Sequence, residues 1–380
     1  MMIIQDKATL GMKKMCKSKD TFLTPSQFTF TLKSAMIGIE IMYIPNSIIK
    51  FARQDSWISC ILGSVYPLYI LLIANYLCKS SYKEDILELS KKCFGNILGS
   101  ILNFIFISYF LFMITSEFSG YIQVFKIYAT GFLKNYQMLF TILIPITYIV
   151  YNGIKPLGRL NEVGFYITII LLVIPIGILA YGTFLNFMPV FDNSISNILK
   201  GSLETFFPFS GMEVILLIYP FLKDNKSLLK SGLKAVGIVA FIYVWTIFAT
   251  IYYLGIEISP KYLWPVLTLA DSIHIPIVNS FRFVFLSLWS LVQFKCMATY
   301  YFSVSYGLSK SIKKIHYETF TLLLYPIIII ITSLYGNPTK RRIYTDGLIK
   351  IYVIFNLVYI SIIALLIRFK KSKKGLKEEN

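Results

Sequence analysis

Two stretches of this chain set a glutamate beside a glycine, with a proline close behind, in the middle of long apolar runs. The first is Gly38-Ile39-Glu40-Ile41, followed by Pro45; the second is Gly211-Met212-Glu213-Val214, with Pro208 before it and Pro220 after it. A carboxyl at the centre of a bilayer costs about 2.5–3.5 kcal/mol on insertion scales and is usually functional. Glycine and proline beside it let a helix open its backbone. Opening the first stretch frees N–H groups at the start of its second half, which suit an anion. Pro45 removes a further donor and disfavours helical geometry at Ile44. In the second stretch Phe206, Phe207 and Phe209 crowd a break at Ser210-Gly211, an apolar wall against carbonyls able to hold an ammonium. The expected ligand-binding set is therefore Gly38, Ile39 and Glu40 from the first break and Phe209, Ser210, Gly211 and Glu213 from the second. Glycines supply backbone groups, glutamates charge or a proton, and Ser210 a hydroxyl. The competing expectation is a kinked but continuous helix whose glutamate is hydrogen-bonded structurally.

Further charge sits in other apolar runs. Glu117 lies about 19 residues into the third, towards its outer end, and Arg282 near the outer start of the eighth. The matching depth suggests a Glu117–Arg282 gate, against independent snorkelling of each. Lys295 sits too far inward to reach Glu117, and no partner is evident for it. Enzyme signatures are missing: the chain has no phosphate-binding glycine loop with lysine, no HExxH and no GxSxG. Its two histidines, His274 and His316, lack a ligand partner at helical spacing. The chain reads as neither an enzyme nor a metal or cofactor binder.

Such residues need a membrane to position them. Of 380 residues 56% are hydrophobic and only 15% charged, against roughly 25% charged in ordinary soluble domains. That apolar surface needs lipid as solvent. The net charge of +18 lies between apolar runs and not on one basic face, which argues against nucleic acid as partner. Five scattered cysteines read as free thiols. About ten spanning segments fit the length criterion of about 20 apolar residues: 28–50, 56–77, 98–121, 138–152, 162–184, 201–221, 235–257, 278–305, 318–333 and 346–368. Residues 1–27 form a basic N-terminal tail and 369–380 a basic C-terminal one, around a membrane domain over 28–368. With both termini cytoplasmic, the inner loops carry about 24 basic residues and the outer ones about nine, chiefly the Lys340-Arg341-Arg342 cluster. The two glutamate motifs are 173 residues apart, and five segments separate equivalent elements. Five is odd, so the second repeat (about 201–368) runs upside down relative to the first (about 28–184). Glu40 and Glu213, each about 12 residues or roughly 18 Å in, then meet near the midplane.

These motifs resemble a known family. Thr24-Pro25-Ser26-Gln27, Gly38 to Pro45 and Arg53-Gln54-Asp55-Ser56-Trp57-Ile58 are similar to the B subunits of GerA-type spore germinant receptors. That family, the spore permeases, belongs to the amino acid–polyamine–organocation superfamily. Gly158-Arg159-Leu160-Asn161-Glu162, Asn186 to Pro189, Phe209 to Glu213, Trp264-Pro265 and Arg282 through Trp289 agree, so the likeness covers residues 24–368. The Gln-Asp-x-Trp stretch after a Gly…Pro break is its most specific part. The resemblance implies a leucine-transporter fold, an all-α membrane domain of ten helices in a five-plus-five inverted repeat with helices one and six broken. It also implies a place in the spore inner membrane with A and C subunits, and recognition of a small nutrient, commonly an amino acid. Glu40 departs from the small or neutral residue expected there; a carboxylate at that point repels a ligand's carboxylate unless protonated. A small zwitterion or cation held between segments one, three, six and eight is the leading reading, and an ion-coupled amino acid or polyamine transporter the alternative.

Overall fold

The computed structural model describes residues 22–273, 280–312 and 314–378. Most of the expected N-terminal tail, His274 and Lys313 fall outside these.

Segment one begins where Thr24 and Gln27 cap each other reciprocally ahead of Pro25. Its first half, α1 (Pro25–Met36), stops at an extended Ile37; a short 3₁₀ turn over Ile39–Met42 follows, and α2 (Ile44–Ala52) resumes with Pro45 in its first turn. Arg53, at φ 44°, turns the chain into α3 (Ser56–Gly63) and α4 (Val65–Ser80). A short α5 (Ile86–Phe94) precedes α6 (Asn96–Tyr128), α7 (Asn135–Tyr151) and α8 (Ile154–Val173), which tightens to 3₁₀ geometry over Ile174–Tyr181. Segment six is broken into α9 (Ile195–Leu203), α10 (Phe206–Phe209), a 3₁₀ turn at Met212–Val214 and α11 (Ile215–Ile218). Then come α12 (Leu228–Ile258), α13 (Pro265–Asp271), α14 (Phe281–Ser311), α15 (Tyr317–Leu334) and α16 (Pro338–Glu378).

All ten expected segments are helical. Among the described residues seven helical stretches are long and apolar enough to cross a membrane, and α9 with the remainder of segment six, bent by 45°, makes an eighth. The other two are segment one, divided into pieces of 12 and 9 residues, and α7, with 17. Exposed apolar side chains such as Ile144, Val163, Phe241 and Ile330 line the outside of the bundle, as lipid contact requires. One boundary is corrected: the Lys340–Arg342 cluster is not in a loop but in the first turns of α16, where Arg341 is buried.

Packing follows the repeat. Helix α14 lies against α6, α8, α1, α7 and α15, while α12 lies against α1, α3 and α4. The ends of the two broken segments are tied together, because Leu23 N–H donates to Phe221 O at 2.8 Å and Lys223 N–H to Leu23 O at 3.1 Å. Both broken segments thus sit inside a frame of continuous helices.

Candidate functional site

The two breaks meet. Gly211 has φ +110°, a left-handed conformation that glycine alone adopts without strain, and a Cβ there would lie 2.3 Å from Ala35 O. Glycine is thus required twice over, for its backbone angle and for the approach of segment six to the end of α1. Gly38 has ordinary extended angles, and its need is purely spatial: a Cβ would lie 2.5 Å from both oxygens of Glu117.

Each break frees backbone groups that would be costly to bury alone. Tyrosines answer the carbonyls. Tyr300 donates to Ala35 O at 2.6 Å, and Tyr243 donates to Met36 O at 2.5 Å and Pro208 O at 2.9 Å, so one hydroxyl bridges both segments. Carboxylates answer the amides. At the first break Ile39 N–H donates to Glu117 Oε2 at 2.8 Å, and at the second Gly211 N–H donates to Glu213 Oε2 at 2.8 Å. The protein therefore brings its own anion to each helix opening.

The two carboxylates differ in how fully they are satisfied. Glu213 accepts from Tyr66 at Oε1, from Tyr109 at 3.0 Å at Oε2 and, weakly, from Asn356 at 3.4 Å. It is fully buried and saturated, a cap on the opened helix. The Ser210 hydroxyl donates to Phe206 O at 2.7 Å. Phe209 is buried with its ring edge-on to Tyr243. At the first break, Gln293 donates to Glu117 Oε2 at 2.5 Å. The Glu40 carboxyl, 3% exposed, lies against that of Glu117 and within electrostatic reach of Arg341. Arg341 itself holds Ser116 O at 3.0 Å and Ser116 Oγ at 2.9 Å.

The Glu117–Arg282 gate is not formed. Glu117 is fully buried at the junction, while Arg282 pairs with Asp271 at 3.1 Å and lies 5.5 Å from the centre of the Tyr128 ring. The depth estimate erred because α6 runs 33 residues, on past the expected end to Tyr128; Glu117 stands 11 residues, about 16 Å, short of that end. Lys295 is buried beside Lys33. It donates to Gly164 O at 2.8 Å and, at 3.5 Å, to Thr168 Oγ1, which Lys33 reaches at 2.6 Å.

Sequence reading missed Tyr66, Tyr109, Tyr243, Tyr300, Gln293, Lys33 and Arg341. With 27 tyrosines in the chain, no hydroxyl stands out. Lys33 is the exception, a lone cation in an apolar run five residues ahead of Gly38, and such a residue signals a buried role.

Residues 22–341 match the family model described as spore germination protein. Spore germination protein YndE of Bacillus subtilis (strain 168) is 27% identical over 329 residues, 85% of this chain and 90% of that protein. Spore germination protein GerQB of Bacillus cereus is 22% identical over 345 residues, 90% of this chain and 95% of its own length. Among solved structures, a substrate-bound Na⁺-coupled sialic acid symporter superposes with a TM-score of 0.62 at 12% identity, over 90% of this chain and 76% of that one. MhsT in complex with L-phenylalanine gives 0.61 at 15% identity, over 90% and 87%. The fold is that of the leucine-transporter type, with its two inverted five-helix repeats.

Proposed function

Since this chain belongs to the spore germination protein family and is a multi-pass membrane protein of receptor or transporter type, not an enzyme, we propose that it is the membrane subunit of a germinant receptor. It recognises a small nutrient, an amino acid or an amine, where its two broken helices meet. It resides in the spore inner membrane with both termini on the core side, and passes the state of the junction to A- and C-type partner subunits. The observation that carries this reading is the approach of segment six to the end of α1 at Gly211, where a Cβ would lie 2.3 Å from Ala35 O. Two opened helices, held by hydroxyls and carboxylates and not by their own ladders, can repack at small cost, and a ligand shifts such a pair by binding one arrangement better.

The test is germination of spores carrying Gly211→Leu. Nutrient response is expected to be lost with the protein still at its normal level in the membrane; an unchanged response would refute the junction as the sensing site. The fold shared with a Na⁺-coupled symporter favours a second reading, ion-coupled uptake by the same junction. Uptake of labelled amino acid into vesicles containing this chain alone would support that second reading over sensing.

A further inference from the structure

Three oxygens left without partners gather at the first break. Glu40 Oε1, Glu117 Oε1 and Gln293 Oε1 are all buried and accept no hydrogen bond among the described residues. They belong to one cluster: Gln293 Nε2 and Ile39 N–H both sit on Glu117 Oε2, and the Glu40 carboxyl abuts that of Glu117. Three elements contribute, the first break, α6 and α14. Buried acceptors without donors are expensive. A proton shared by the two carboxyls answers those two and leaves Gln293 Oε1 alone.

We infer that this cluster is a subsite for a primary ammonium group, and that the ligand of the junction is recognised as an amine and not through a carboxylate. An –NH₃⁺ carries three donors and no acceptor, which matches three orphaned oxygens. The amides a ligand carboxylate would need are taken, Ile39 N–H by Glu117 and Gly211 N–H by Glu213. A cavity of about 40 Å³ with largely apolar walls, among them Ile37, Ile41, Trp245 and Trp289, flanks the break. Trp289 Nε1, on its wall, is a buried donor without a partner among the described residues.

This inference rests on the junction being the ligand site, and the experiment separates the two. Thermal melting of the purified full-length chain in detergent is followed with n-propylammonium, n-propanol, propionate, and sodium or potassium chloride at matched ionic strength. Propylammonium is expected to raise the melting temperature and the others not. Glu40→Gln and Gln293→Leu, each checked for a single monodisperse species, are expected to weaken its apparent affinity about tenfold or more, or about 1.4 kcal/mol. Stabilisation by alkali cations equal to that by the amine would overturn the ammonium assignment, as would a response to propionate alone or an amine response untouched in both variants. A nutrient that still binds after its amine is acetylated, and is lost in Gly211→Leu, would sink this inference and leave the junction standing. No response to any probe, together with normal germination of Gly211→Leu spores, would remove both.

Discussion

Two kinds of buried charge occupy the middle of this protein, and truncating them has opposite consequences. Glu213 is surrounded by donors: the Tyr66 and Tyr109 hydroxyls and the Gly211 amide all end on it. Replacing it with leucine strands the two tyrosine hydroxyls at about 1–3 kcal/mol each, while Gly211 N–H keeps the Tyr109 oxygen at 3.0 Å. Glu213→Leu is expected to lower stability by about 2 kcal/mol or more, seen as a large fall in detergent melting temperature. Lys33 and Lys295 are two buried amines sharing one threonine hydroxyl, and neither forms an ion pair among the described residues. Removing one takes a desolvated polar group out of the bundle and leaves the shared hydroxyl to the other, which offsets the lost bond to Gly164 O. Lys295→Met should therefore melt at or above the wild-type temperature, and a drop comparable with that of Glu213→Leu would show that the pair holds an anion. Of the two glutamates singled out by their glycines, Glu213 is a cap on the opened helix and Glu40 the one with an open valence.

At the level of elements, the stretches most specific to the family are clasps and not ligand contacts. Gln54 Nε2 donates to Pro189 O at 2.7 Å, Asp55 accepts from Phe191 N–H at 2.9 Å and Asn193 N–H at 3.3 Å, and Trp57 meets the Phe191 ring edge-on. The turn after α2 thereby holds the chain entering segment six. The stretch around Asn161 does the same for α1, through Thr31 and through Glu162 on Gln27. Asp55→Ala is expected to cost about 1–3 kcal/mol by orphaning two partly buried amides, while leaving propylammonium affinity within about twofold, since it touches neither break. Measured melting and binding on the same preparation check both halves. The sequence makes the continuous helices legible because lipid imposes length and apolarity on each of them, and it makes the breaks legible because glycine, glutamate and proline have few other reasons to share a span. What it hides is depth. Helix α6 overruns its apolar core and α16 starts before its own, so Glu117 and Arg341 read as surface charges and are in fact buried at the junction. The tyrosines that satisfy the carbonyls are equally hidden, being polar only at the tip and apolar in every other respect.

Across the whole molecule the distribution of lysine and arginine sets a testable orientation. In a cysteine-free background, a cysteine replacing Lys134 should react with a membrane-impermeant maleimide from outside, and one replacing Lys226 should not; the reverse pattern would invert the topology. Both positions are exposed at the ends of spans. Transmission of a binding event follows from how the halves are joined. Helix α9 packs on α2 and α3, so the second half of segment one and the first part of segment six form one block. A cavity of about 450 Å³ separates this block from α16, bounded by Tyr43, Phe51, Phe207, Val353 and Leu357, with Glu204, Lys200, Asp346 and Lys350 at its edge. Arg341, on the same α16, lies within electrostatic reach of Glu40, and Arg342 lies over the Tyr43 ring at 5.5 Å. Charge arriving at Glu40 therefore changes the pull between α16 and the block, and the cavity is the space into which the block can move. A ligand that binds the closed arrangement better shifts the population towards it. Filling the space should uncouple recognition from response: Val353→Trp is expected to leave propylammonium affinity of the purified chain within about threefold, or about 0.7 kcal/mol, while spores carrying it fail to germinate on nutrient. Normal germination of those spores would show that closure of this cavity plays no part in signalling.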